Sequence, residues 1–128
     1  MTNEEIVRNY YEARSGLIAE GFWAERVADD VAYFLPARTA LGGEFFGKSE
    51  VRKALDAIST LSGKTFSLEV LDICSSASRA VALVRATAQR EGKTLDSKQA
   101  HVFEIVDGRI ASIWNYAYDR YAVDAFWN

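Results

Sequence analysis

One cysteine, one histidine, one methionine and one proline occur in 128 residues, and each scarcity closes off a class of protein. Cys74 alone forms no internal disulfide, and with a single histidine, His101, there is no Cys/His metal cluster. A reducing cytoplasm is therefore the expected compartment. Basic charge is not in excess: 15 Lys and Arg stand against 18 Asp and Glu, a formal charge of -3, and they are scattered rather than clustered. That balance argues against a phosphate-tracking surface and so against nucleic acid as a partner. No apolar run reaches the ~18 residues of a membrane span, and the opening MTNEEIVRNYYEAR is charged from the start, without the apolar centre of a signal peptide. A soluble chain with no membrane partner is expected. Glycine-rich phosphate loops, metal-ligand spacings and nucleophile elbows are missing too, so no cofactor is expected and nucleotide, metal and serine-hydrolase chemistry are set aside.

Apolar residues are what the chain has in quantity: 49% hydrophobic and 12% aromatic. That surplus belongs in a core, a pocket or an interface. With no internal repeat or linker, residues 1-128 are expected to form one domain, long enough to bury a core without staples.

Thr2 or Asn3 is placed to cap a first helix with Glu4 and Glu5 in its opening turn. Ile6, Val7, Tyr10, Tyr11, Arg14 and Leu17 recur at helical spacing, and one face carries Val7, Tyr10, Tyr11 and Arg14. Its tyrosines either simply pack or bring phenol groups to what the helix covers. Gly16 and Gly21 interrupt the pattern, and Phe22, Trp23 and Val27 resume it as a short second helix ending in a turn at Ala28-Asp29-Asp30. Asp29 and Asp30 are read as turn residues, not paired catalytic carboxylates. Val31 to Leu35 is a strand closed by Pro36. Ala37 to Gly47 is irregular, a glycine-rich stretch around Phe45-Phe46 that serves either as a pocket lid or as a loop pinned by its phenylalanines. Its Arg38 and Glu44 are solvated loop charges near the mouth.

Ser49 caps a third amphipathic helix with Val51, Leu55 and Ile58, which Gly63 ends. The period then changes to two, giving strands at Phe66 to Cys74, Arg79 to Arg90 and Thr94 to Val106, separated by turns at Ser75-Ser76 and Glu91-Gly92-Lys93. In the Arg79 strand, Ala80, Ala82, Val84, Ala86 and Ala88 share one face. Small residues there either leave room for a cavity or admit close helix packing. Asp107-Gly108 is the strongest hairpin signal, and Arg109 to Tyr118 is the last strand. In its partner, Gln99, His101, Phe103 and Ile105 alternate with Glu104, which prefers water, so the imidazole is expected to face inward. Asp119 to Asn128 is read as a short terminal helix or arm, anchored by Tyr121, Val123, Phe126 and Trp127 and capped by Asp119.

Five motifs carry a resemblance that covers the whole chain: NYYEA, ADDVAYFLP, GKSEVRKAL, HVFEIVDGRI and the closing WNYAYDRYAVDAFW. The sequence resembles the SnoaL-like group of ketosteroid isomerase relatives in the nuclear transport factor 2-like superfamily. The resemblance implies an α+β fold, a cone-shaped, strongly bent antiparallel sheet packed on three helices from the N-terminal half of the chain. Tyr11 falls where ketosteroid isomerases keep the tyrosine that donates to the substrate oxyanion, and His101 where they keep a second donor, a protonated aspartic acid. Leu35 stands where they have the general-base aspartate, so that step is not carried over. Extending past Gly108 puts Ile113, Asn115 and Ala117 on the pocket face and Trp114, Tyr116 and Tyr118 on the outer face, which commonly makes the dimer in this fold. A bulge would swap the two sets.

The expected pocket sets Tyr11, Gln99, His101 and Asn115 among Phe22, Phe34, Leu35, Val84, Ala86, Phe103 and Ile113. A mostly apolar cavity with a few convergent polar groups suits a small hydrophobic ligand bearing a carbonyl or hydroxyl. His101 is the candidate acid or base, with Tyr11 or Asn115 polarising a carbonyl or holding the ring in one tautomer. The chemistry this permits is proton transfer next to a carbonyl: isomerisation, dehydration or cyclisation of a polyketide-like substrate. The competing reading is a non-catalytic ligand-binding or dimeric assembly module on the same scaffold.

Overall fold

Thr2 opens the first helix, its hydroxyl accepting from the Glu5 amide at 3.1 Å, and α1 runs Asn3–Glu12 with Ile6, Val7 and Tyr10 buried. In this computed structural model residues 1–13, 17–35 and 41–128 are described. Arg14, Gly16, Pro36 and Arg38 lie outside them. Helix α2, Leu17–Arg26, leads straight into strand β1, Val27–Leu35. The expected turn at Ala28-Asp29-Asp30 is therefore strand. Both carboxylates lie on exposed positions, and Asp29 pairs with Lys48 Nζ at 3.1 Å; the β1–β6 register skips from Val27 to Ala32, so the acids sit in an extended but irregular part of the strand.

Part of the expected irregular stretch is also strand. β2, Gly43–Phe46, pairs antiparallel with β1 and sets Phe45 opposite Tyr33, their rings 6.3 Å apart. Phe45 packs on the core, while Phe46 is mostly exposed. Helix α3, Lys48–Leu61, starts without a side-chain cap: Gly47, not Ser49, holds the cap position. Its φ of 89° is one that glycine adopts readily, and its N–H reaches Val31 O at 2.8 Å, tying the helix start to β1.

The remaining strands are β3 (Ser67–Ser75), β4 (Arg79–Arg90), β5 (Lys93–Val106) and β6 (Arg109–Ala117), followed by α4 (Arg120–Trp127). Asp119 caps α4 by accepting from the Ala122 amide at 3.1 Å. Glu91-Gly92 and Asp107-Gly108 both have two positive φ angles, 50° and 75°, then 51° and 73°, which is the two-residue turn that matches strand twist.

Sheet order is β2-β1-β6-β5-β4-β3. Every neighbour pair is antiparallel except β1 with β6, which is parallel. One extra residue, Leu71 in β3 and Ala111 in β6, interrupts the register of each strand. Such bulges bend a strand and add twist, which is how one sheet curls into a cone. Because Ala111 precedes Ile113, the alternation beyond it holds: Ile113 and Asn115 are buried, while Tyr116 and Tyr118 are exposed.

All four helices cover the inner face: α1 on β3 and β4, α2 on β1 and β6, α3 on β1 and β2, α4 on β5 and β6. Ala80, Ala82 and Val84 share one buried cluster with Ile6, Val7 and Tyr10 of α1. Ala86 and Ala88 share another with Val123, Phe126 and Trp127 of α4. The row of small residues thus admits close helix packing and does not line a void.

Candidate functional site

Three residues of β5 and one each of α1, β1 and β6 build the polar centre of the cone. Ser97, Gln99 and His101 alternate along the inner face of β5, and His101 is directly opposite Asn115 of β6 in register. The phenol of Tyr11 comes down from α1 to His101 Nδ1 at 2.6 Å, with the two rings nearly parallel. On the other side of the imidazole, Nε2 meets Gln99 Oε1 at 2.9 Å, and the Gln99 amide reaches Ser97 Oγ at 3.3 Å. Gln99 Oε1 only accepts, so Nε2–H donates to it and Nδ1 accepts the phenol proton; the other tautomer, with Nδ1–H donating to Tyr11 Oη, leaves Nε2 basic and requires the Gln99 oxygen to turn away from it.

Asn115 Nδ2 donates to Tyr33 Oη at 2.9 Å. Its Oδ1 is buried with no hydrogen-bond partner. Together Tyr33, Gln99, His101 and Asn115 form the polar wall of an inner chamber of about 40 Å³, closed by apolar groups such as Leu35, Phe66 and Trp127. At ~10–15 Å³ per water centre, that holds only a few waters. Leu35, Gln99, Asn115 and Val123 also border a recess of about 260 Å³, which continues to Tyr116, Ala117 and Arg120. A more polar opening of about 370 Å³ lies on the other side, between α3 and β3, lined by Tyr11, Asp56, Ser59 and Ser67 among others. The Tyr11–His101 pair therefore bridges two spaces: its imidazole faces the chamber and its phenol the opening.

Of the residues expected at the pocket, His101, Gln99, Asn115 and Leu35 come together on the chamber, and Tyr11 joins them through its hydrogen bond. Phe22, Val84, Phe103 and Ile113 are instead buried in the core cluster under α1 and α2, and Ala86 in the cluster under α4; none of these five lines the chamber. Phe34 faces away from it, stacked on Trp114 at 3.8 Å on the outer side. Tyr33 takes the inner place. Strand alternation carries the signal: Val31, Tyr33 and Leu35 share one face, so a pocket holding Leu35 excludes Phe34.

Among the described residues lining the chamber none is a carboxylate, and His101 is the basic one. Strong ion pairs lie elsewhere. Arg52 beside Glu20 holds that carboxyl below its ordinary range, by hydrogen bond first and charge second, and Arg85 does the same to Asp96 by hydrogen bond, charge adding to it. Among the described residues no group of three or more His, Cys, Asp or Glu is placed to hold a metal ion. No helix among them is long and apolar enough to cross a membrane.

A bent six-stranded sheet with helices over its concave face is the nuclear transport factor 2-like class of α+β fold. A nuclear transport factor 2-like protein of Burkholderia xenovorans LB400 superposes with a TM-score of 0.80, covering 97% of this chain and 94% of that one at 17% identity. Within the class, the chain belongs to the SnoaL-like domain family, whose model matches residues 7–113. Bal32a, from a soil-derived mobile gene cassette, has a TM-score of 0.88 at 29% identity, over 97% of this chain and 95% of its own. An uncharacterized protein of Mycobacterium tuberculosis is 31% identical over 127 residues, 96% of this chain and 94% of that protein.

Proposed function

We propose that the chain is a cofactor-independent enzyme of the isomerase or lyase type, moving a proton next to the carbonyl of a small hydrophobic, polyketide-like substrate. The observation that carries this reading is the 2.6 Å bond between Tyr11 and His101, which holds an imidazole in the polar wall of a mostly apolar chamber. Substrate displaces the Gln99 oxygen from Nε2; in the tautomer with Nδ1–H donating to Tyr11 Oη, Nε2 then takes the proton from the carbon beside the carbonyl. The C–H electron pair becomes the enolate double bond, and the carbonyl π pair moves onto oxygen. Tyr33 O–H, steadied by Asn115 Nδ2, is the donor set to meet that oxygen. The imidazolium is held by Tyr11 Oη and Gln99 Oε1, and it returns the proton to another carbon or to a departing hydroxyl, which leaves as water. Tyr11 acts through the imidazole, so its part is positioning. Leu35 contributes only an apolar wall.

The test needs no known substrate. In deuterium oxide, exchange of the α-protons of 1-tetralone and related cyclic ketones is followed by proton NMR. Wild type is expected to accelerate exchange ~10²-fold or more over buffer, and His101→Gln to return it to background with an unchanged melting temperature. Exchange that survives His101→Gln rejects the mechanism.

A non-catalytic ligand-binding role is the alternative, favoured by the roughly 40 Å³ of the chamber, small for a polyketide-sized ligand, and by the absence of a carboxylate among the described residues of its wall. In either role the chain is read as a cytoplasmic homodimer, joined through the outer sheet face where Leu71, Leu83 and Tyr116 are about half exposed.

A further inference from the structure

Asn115 is the least satisfied group in the interior. It is 9% exposed and spends its amide nitrogen on Tyr33, leaving Oδ1 buried with no donor. An unpaired buried acceptor is costly, and this one sits where chamber and recess share a wall. It asks for a ligand that brings an O–H or N–H. At the outer end of the recess stands Arg120, the only charged group among the described residues lining it. Its guanidinium rests over the Tyr121 ring at 5.9 Å, and among the described residues no carboxylate pairs with it. The adjacent Asp119 carboxylate is engaged with the Ala122 amide. Between the two ends the lining is mostly apolar: Leu35, Ala117 and Val123.

We infer that the site selects a small hydroxylated organic anion: a ring whose hydroxyl donates to Asn115 Oδ1 at the inner end while its carboxylate meets Arg120 at the rim. This rests on the pocket reading above and adds the ligand's chemistry to it. In a chain of net charge -3, an arginine at the mouth is also what makes an anion's approach favourable.

Three matched probes separate the contributions: 4-hydroxybenzoate carries both groups, benzoate only the charge, and 4-methylphenol only the donor. Titration calorimetry is expected to show 4-hydroxybenzoate binding about tenfold tighter than either of the others. Arg120→Gln should erase its advantage over 4-methylphenol, and Asn115→Leu its advantage over benzoate, each leaving the other preference in place. Arg120 is exposed, so that variant folds, and its arm decides even if Asn115→Leu does not. If 4-methylphenol binds as tightly as 4-hydroxybenzoate, or if Arg120→Gln leaves the preference intact, the anion is not selected and only the pocket reading stands. If none of the three binds, both fall together.

Discussion

Tyr11 and His101 are 90 positions apart and share one hydrogen bond. The phenol orients the imidazole and determines which nitrogen faces the chamber. Tyr11→Phe keeps the ring that packs edge-on to Tyr10 and Phe103 but deletes that control. We expect α-proton exchange to fall about ten- to a hundredfold, with the pH at half-maximal rate displaced and the fold intact. A Tyr11→Phe enzyme with the wild-type pH profile would exclude the positioning role. Phe103 has no exposed surface, two residues from His101 on the same face of β5. Phe103→Ala should cost about 3–5 kcal/mol in urea denaturation, because it empties core rather than pocket. Alternation along the strand made the inward turn of His101 and Phe103 legible in the sequence. What separates their surroundings is which helix lies above each, and strand spacing is silent on that.

At the scale of elements, the hairpin turns and the caps at Thr2 and Asp119 were legible because their chemistry is local, whereas the cap expected at Ser49 falls to Gly47. Gly108 holds a φ of 73°, and a Cβ there would come within 3.2 Å of Arg26 Nη1. Gly108→Ala should therefore cost about 1–2 kcal/mol in chemical denaturation. Between neighbouring strands, Arg85 meets Asp96 with two bonds, Nε to Oδ1 at 2.8 Å and Nη2 to Oδ2 at 2.7 Å. The Asp96 carboxyl is thereby lowered from its ordinary value. A lowered carboxylate stabilises the fold above its unfolded pKa near 3.9, and that contribution is lost as the pH falls through the lower folded value. Asp96→Asn should flatten the acid limb by removing, at neutral pH, the small contribution of this half-exposed pair, and leave stability below the folded pKa unchanged. Elements that depend on partners were misread. β2 forms because β1 lies beside it, and Ala28 to Asp30 stay extended because their acids reach solvent and Lys48.

For the whole molecule, the outer sheet face remains uncovered in the single chain, with Leu71, Leu83 and Tyr116 exposed. If that face makes the proposed homodimer, sedimentation velocity should give twice the monomer mass, and Leu83→Asp with Tyr116→Asp should halve it while leaving the circular dichroism spectrum unchanged. A wild-type monomer would overturn the dimer reading. By itself the sequence determined the order of most elements, the hairpin turns, the α4 cap and the inward imidazole, since each follows from spacing within a few residues. Only the tertiary structure decided that the alanine row is packed tight, that Tyr33 replaces Phe34 inside, and that Asn115 keeps an unpaired oxygen. Those outcomes depend on what residues far away in the chain place against each face, and contacts across a bent sheet leave no local trace in the order of amino acids.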